Sequence, residues 1–141
     1  MKHLIFTLYM IISFNGMSQT ESYVGHYEYK LESSNANLTQ NLILKPDGSF
    51  MFHSNEYHDM GIPKGKNVYG KGCWKQDKKI VTFSTTPRDF DEKHTIDLNK
   101  SKARFDSKSK RDHSNRTRKT SIRFFESEIL WIKGKTFIKI E

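Results

Sequence analysis

Cysteine and proline are scarce in this chain, and the apolar residues show little helical periodicity. Its 141 residues include three prolines and one cysteine, Cys73. A single cysteine excludes an intramolecular disulfide, so the stability of the fold has to come from packing of the core. Beyond the first apolar run, no stretch repeats its apolar residues convincingly every 3.6 positions. These absences indicate an all-β protein without covalent cross-links.

Recognisable catalytic motifs are also missing. The sequence has no Gly-x-Ser-x-Gly elbow, no glycine-rich phosphate loop and no pair of carboxylates in a clear context. Cys73 has no identified histidine or acid partner, so a packed or incidental thiol is the preferred interpretation. A loop carries His53, Glu56, His58 and Asp59, but their spacing matches no defined metal site. The sequence therefore predicts a protein that is not an enzyme and has no metal or other cofactor.

The first 18 residues have the layout of a secretory signal peptide. A short basic start, Met1–His3, precedes an apolar run of eleven residues, Leu4–Phe14, and small residues flank Met17 just before Gln19. Eleven helical residues rise only about 16 Å, far short of the roughly 30 Å hydrocarbon core of a bilayer. We therefore expect cleavage near Ser18/Gln19, no transmembrane anchor, and a secreted or periplasmic domain over residues 19–141. The alternative, an N-terminal core helix, lacks an amphipathic pattern.

The clearest structural signal is a hairpin between Asn41 and Phe52. Apolar residues alternate on both sides of a turn in which Pro46 fixes φ, Asp47 caps the turn and Gly48 supplies the positive φ that closes it. Residues 55–66 are predicted to be a loop. Alternation predicts further strands at 22–32, 38–44, 49–53, 68–75, 79–84, 120–124, 129–133 and 136–140, with a weaker one at 94–99. Eight or nine short antiparallel strands indicate a barrel or a sandwich.

Three short motifs lie at strand ends and turns. Gly25-His26-Tyr27 opens the first strand, Asp47-Gly48-Ser49-Phe50 forms the hairpin, and Gly72-Cys73-Trp74 precedes the strand at 79–84. These motifs resemble those of small secreted bacterial lipocalin-like proteins. The similarity covers residues 22–84 and, weakly, the C-terminal hairpin, whereas residues 85–119 match no pattern. The resemblance implies an up-and-down antiparallel barrel or half-barrel. It implies no particular ligand.

Aromatic side chains are expected to point into this barrel. An eight-stranded barrel is either filled by its own side chains or holds one small molecule. A filled core is the preferred interpretation, and a pocket for a small apolar ligand is the alternative. The residues assigned to that pocket are Tyr27, Phe50, Phe52, Trp74, Phe83 and Phe124.

Positive charge is concentrated in one segment, residues 100–119, which we call the basic segment. The chain carries a net charge of +8, and this segment holds nine Lys or Arg against two Asp. Phe105 is its only large apolar residue, so we expect a solvated loop and no stacking platform for nucleic acid. A loop that aids solubility is preferred over one that binds anionic lipid or polysaccharide. The candidate anion-binding residues are Lys102, Arg104, Lys108, Lys110, Arg111, Arg116, Arg118 and Lys119.

Two classes of function remain open from the sequence. The first is an exported lipocalin-like binding protein that uses either its barrel interior or its basic loop. The second is a structural or interaction protein with a filled core that binds another exported protein. An apolar cavity lined by the six aromatic residues would favour the first, and a large exposed apolar patch would favour the second.

Overall fold

The computed structural model describes residues 23–109 and 111–141, so the predicted signal peptide lies outside the described residues. Eight strands follow one another in these residues. Each strand pairs antiparallel with the next, and the first pairs with the last, which closes the sheet into a barrel. The strands are β1 (Gly25–Glu32), β2 (Ala36–Leu44), β3 (Ser49–His58), β4 (Gly65–Asp77), β5 (Ile80–Ser84), β6 (Lys102–Asp106), β7 (Ser121–Glu126) and β8 (Thr136–Lys139). The predicted all-β up-and-down barrel is confirmed, in its closed form.

Helical structure is minor in the described part of the chain. It consists of one 3₁₀ helix, Pro87–Asp89, which Thr86 caps through a capping box. Within residues 23–109 and 111–141 no helix is long and apolar enough to cross a bilayer.

The hairpin between β2 and β3 forms as its turn residues predict. Gly48 has a φ of +85°, and the Asp47 carboxylate accepts a hydrogen bond of 2.8 Å from the backbone N–H of Ser49. Leu44 lies opposite Phe50 in the register, and both are buried. Period-two alternation continues along both strands and places Leu42, Phe50 and Phe52 in the barrel interior as well.

Two segments predicted as loops contain strand. β3 runs to His58 and β4 begins at Gly65, so the predicted loop at 55–66 shrinks to residues 59–64. Glu56 lies opposite Lys66, and this pairing continues the ladder through polar residues that gave no apolar signal. The basic segment contains β6, because Ala103 and Phe105 both face the core.

Two segments predicted as strands are not strands. Residues 129–133 form turns, in which the backbone N–H of Ile132 donates to the carbonyl of Ile129 at 3.2 Å and the Ile132 side chain is buried. Ile129 and Ile132 are three positions apart, and hydrogen bonds at this spacing form tight turns and not strands. The apolar residues of this segment therefore fit a turn, although their pattern predicted a strand. In the segment 94–99, His94 forms only an isolated bridge with Tyr69, and Leu98 is buried in the core.

Glycines on β4 allow neighbouring chain to approach closely. A Cβ on Gly72 would overlap the carbonyl oxygen of Ser84 and lie 2.9 Å from the ring of Phe50. A Cβ on Gly70 would lie 3.1 Å from the side chain of Ile96. The repeated glycines therefore mark close backbone approach, one of the two roles that glycine on a strand face indicates.

Because consecutive strands are antiparallel neighbours, the connections between them alternate between the two ends of the barrel. The lower end carries the connections at residues 45–48 and 78–79, the described residues 107–109 and 111–120 between β6 and β7, and the start of β1. The upper end carries the connections at residues 33–35, 59–64, 85–101 and 127–135. The part of the basic segment that follows β6 thus lies at the same end of the barrel as the β4–β5 turn.

Candidate anion-binding groove

The six aromatic residues assigned to an interior pocket all lie in the barrel core. Each is 4% exposed or less. The ring centroids of Phe50 and Phe83 are 5.1 Å apart, those of Phe83 and Phe124 5.3 Å, and those of Phe124 and Phe137 5.4 Å. These are contact distances for aromatic rings. The geometry favours the filled-core alternative, and binding of a small apolar ligand stays a prediction.

Hydrogen bonds fix the polar atoms of two of these six residues. The Tyr27 hydroxyl donates to the carbonyl of Tyr23 at 2.7 Å, and the Trp74 indole donates to the carbonyl of Lys45 at 3.0 Å. Burial raises the pKa of the Tyr27 hydroxyl well above its ordinary value. Both residues are therefore placed as structural members of the core.

The upper part of the interior includes polar side chains. Gln40 and Ser54 are buried there and share a hydrogen bond of 3.1 Å. Lys135 donates to the Gln40 side-chain oxygen at 3.2 Å, and its ammonium lies 4.9 Å from the centre of the Tyr29 ring and 5.5 Å from that of Trp131. Burial lowers the pKa of Lys135. The turn that carries Lys135 thus covers the upper end of the barrel.

An open groove of about 900 Å³ lies on the outer wall of β5 to β8, near the lower end. None of the six interior aromatic residues lines it. Five cationic side chains and one carboxylate line it, giving a local net charge of +4. The lining residues are Lys78, Lys79, Ile80, Arg104, Asp106, Arg118, Ser121, Arg123, Phe125 and Thr136.

Strand register brings two of the arginines face to face. Arg104 of β6 lies directly opposite Arg123 of β7, and both side chains are exposed on the outer wall. Directly opposed residues of antiparallel strands have Cβ atoms roughly 4.5–5.5 Å apart, and like charges at that spacing repel each other. In the part of the chain that the structure describes, neither guanidinium has an ion pair or a side-chain hydrogen bond. The pair is therefore a concentrated site of uncompensated positive charge.

The carboxylate in the groove is already paired. Arg118 of the basic segment folds back onto the wall and donates to one oxygen of Asp106 from Nε at 3.0 Å and from Nη2 at 2.6 Å. This ion pair attaches the segment to the groove. It also leaves Asp106 engaged with Arg118 and not with Arg104 or Arg123.

The turn between β4 and β5 supplies the two lysines of the groove. Lys78 has a φ of +55°, in the left-handed region, and its carbonyl accepts a hydrogen bond of 2.5 Å from the Tyr23 hydroxyl. Lysine in this conformation is strained, and glycine is the residue that tight hairpin turns of this kind prefer. The strained turn holds Lys78 and Lys79 beside Arg104.

The predicted anion-binding residues have different environments. Arg104 and Arg118 line the groove, whereas Lys102 pairs with Glu126 at 3.5 Å and Lys108 donates to the carbonyl of Ser114 at 2.7 Å. The described residues 111–119 are all exposed, as expected of a solvated loop. Arg111, Arg116 and Lys119 belong to them, and Lys110 lies outside the described residues.

Sequence reasoning missed three cations of the groove: Lys78, Lys79 and Arg123. The signal that was available is topological. In an up-and-down barrel the β4–β5 turn and the β6–β7 connection lie at the same end, so Lys78 and Lys79 must lie near the basic segment. The parity of β7 places Arg123 on the outer wall, because Ile122 and Phe124 face inward.

The residues weighed as metal ligands do not converge. His53 stacks on Tyr69 with ring centroids 4.4 Å apart, while Glu56 and His58 form their own contact of 2.6 Å on the opposite face of β3. Among residues 23–109 and 111–141 no group of three or more His, Cys, Asp or Glu is placed to hold a metal ion. The Cys73 thiol is exposed.

Comparison with known proteins adds no relative. No family model, curated protein or solved structure matches the chain. The lipocalin-like identity therefore stays a prediction, and the groove has to be interpreted from its own chemistry.

Proposed function

We propose that this protein is an exported, non-enzymatic barrel of lipocalin-like type that binds an anionic component of the cell envelope on its outer wall. The observation that carries this proposal is the groove, where five cations meet one carboxylate. The packed aromatic interior favours the outer wall over the barrel interior as the place of binding. Export rests on the signal-peptide pattern of residues 1–18.

The binding surface extends beyond the groove. Arg118 belongs both to the groove and to the basic segment, and the exposed cations of residues 111–119 continue from it. A cation held near an anionic bilayer contributes about 1 kcal/mol of attraction at moderate ionic strength. Such attraction weakens as added salt screens it.

Sedimentation with lipid vesicles tests the proposal. The purified domain should bind phosphatidylglycerol vesicles at low salt, bind phosphatidylcholine vesicles far less, and dissociate as salt rises. The triple variant Lys79→Glu, Lys108→Glu, Arg111→Glu should bind at least tenfold more weakly. The matched control Lys64→Glu, Lys66→Glu, Lys133→Glu changes exposed lysines at the upper end and should bind like the parent protein. If both variants lose vesicle binding equally, the binding depends on the net charge of the protein and not on the groove and the basic segment.

A second candidate function is docking onto another exported protein. Exposed apolar residues at the upper-end turns favour it: Met60 is 91% exposed, Ile62 is fully exposed and Leu130 is 83% exposed. A triple substitution of these residues by serine should then abolish capture of that partner and leave vesicle binding intact. Loss of vesicle binding in this variant would instead place lipid contact at the upper end.

A further inference from the structure

We infer that the groove holds a phosphorylated amphiphile, with the phosphate between Arg104 and Arg123 and the apolar part on Ile80 and Phe125. This inference rests on the proposed anion binding and names its ligand class. The opposed arginines form the phosphate site. Planar guanidinium groups bind the oxygens of a phosphate in a bidentate manner, and one phosphate between two of them relieves their mutual repulsion.

Apolar residues in the same groove favour a ligand that has an apolar part as well as a phosphate, over a purely polar anion. Ile80 is 37% exposed and Phe125 is 42% exposed, although both lie among cations. Ile80 lies directly opposite Arg104 in the register, and Phe125 follows Arg123 by two positions on β7. An apolar chain leaving a phosphate held by the arginines has these two side chains within reach.

A β-bulge between β6 and β7 lies at Phe125. Phe124 pairs with Ala103 and Glu126 pairs with Lys102, so Phe125 is an extra residue with no partner across the strand. Bulges re-aim a side chain and occur often beside functional sites. Here Phe125 faces outward by the same alternation as Arg123, and the bulge turns Glu126 outward as well, where it pairs with Lys102. Phe125 is therefore an exposed phenylalanine on a cationic wall.

Three soluble ligands separate the contributions of head and chain. Dioctanoyl phosphatidic acid, below its micelle concentration, carries both; glycerol 3-phosphate carries only the head; dioctanoylglycerol carries only the chains. Isothermal titration of the purified domain, residues 19–141, should give binding of phosphatidic acid at least tenfold tighter than that of glycerol 3-phosphate. Dioctanoylglycerol should not bind measurably. Equal affinities for the first two ligands would overturn the amphiphile assignment and leave a simple phosphate site.

Two variants assign the contributions to residues. Arg104→Gln with Arg123→Gln should weaken phosphatidic acid at least tenfold, whereas the charge-matched control Lys64→Gln with Lys66→Gln at the upper end should change it less than twofold. Phe125→Ser should remove most of the gain from the chains and leave glycerol 3-phosphate affinity unchanged. Circular dichroism melts establish that each variant is folded. A Phe125→Ser variant with full phosphatidic acid affinity would overturn the apolar contact.

Failure of this inference is distinguishable from failure of the proposed function. If phosphatidic acid does not bind but phosphatidylglycerol vesicles still bind in a salt-sensitive way, the groove is not an amphiphile site and surface binding stands. If an acidic polysaccharide binds through the arginines without any effect of Phe125→Ser, the ligand class is a polymer. If neither vesicles nor soluble ligands bind, both proposals fall.

Discussion

Replacement of Phe124 by alanine tests whether the barrel interior is a filled core. Phe124 is completely buried, and its ring contacts those of Phe83 and Phe137 at 5.3 and 5.4 Å between centroids. Removing a ring from a packed interior costs about 3–5 kcal/mol, because transfer energy is lost and a cavity remains. For a domain of this size that corresponds to a fall in Tm of roughly 12–20 °C.

The neighbouring residue supplies a matched control. Phe125 is 42% exposed on the outer wall, so Phe125→Ala should cost roughly 1 kcal/mol or less. Both variants are compared by urea denaturation followed by circular dichroism, with calorimetry for Tm. If Phe124→Ala costs no more than Phe125→Ala, the interior rings are not packed as a core. An interior pocket would then become the better interpretation.

Three further variants test the strained β4–β5 turn, the close contact at Gly72 and the contribution of the Asp91 carboxylate to stability. Lys78→Gly should raise the unfolding free energy by roughly 1 kcal/mol, because lysine is strained at positive φ, while weakening vesicle binding. Gly72→Ala should lower the Tm clearly in calorimetry, because its Cβ would overlap neighbouring backbone, whereas Gly65→Ala has nothing within 4 Å and should not. Hydrogen bonds from His94 hold the pKa of Asp91 below its ordinary value, so Asp91→Asn should lower the Tm at pH 7. That deficit should shrink as the pH falls below about 4, because the carboxyl of the unfolded chain then takes up a proton while the folded carboxylate, with its lowered pKa, is still ionised. An equal deficit at pH 7 and pH 3 would contradict the role of the charge.

Local chemistry explains which parts of the fold were predictable. The turn at Asp47-Gly48 depends only on adjacent residues, and the alternation of Phe50 and Phe52 directly reports which face of β3 is buried. β6 was hidden because its outward residues belong to the basic segment, so only Ala103 and Phe105 carried a strand signal. Two inward residues are too few for an alternating pattern to predict a strand.

The groove was less predictable because it is non-local. The charge of their segment indicates Arg104 and Arg118, but the pairing of Arg104 with Arg123 depends on strand register, and Arg118 reaches the groove through its ion pair with Asp106. Lys78 and Lys79 are 25 or more residues away from Arg104 in the sequence, and only the alternation of barrel ends brings them near it. Charge counting therefore found the region, and the topology of the barrel defines the site.

Ligand binding in the groove is observed by nitrogen-15 NMR of the arginine side chains and the backbone while dioctanoyl phosphatidic acid is added. We expect the Nε–Hε signals of Arg104 and Arg123 and the amide of Phe125 to shift together and to saturate at one ligand per domain. Shifts centred on the interior, at Phe50 and Phe83, with the arginine signals unchanged, would contradict it.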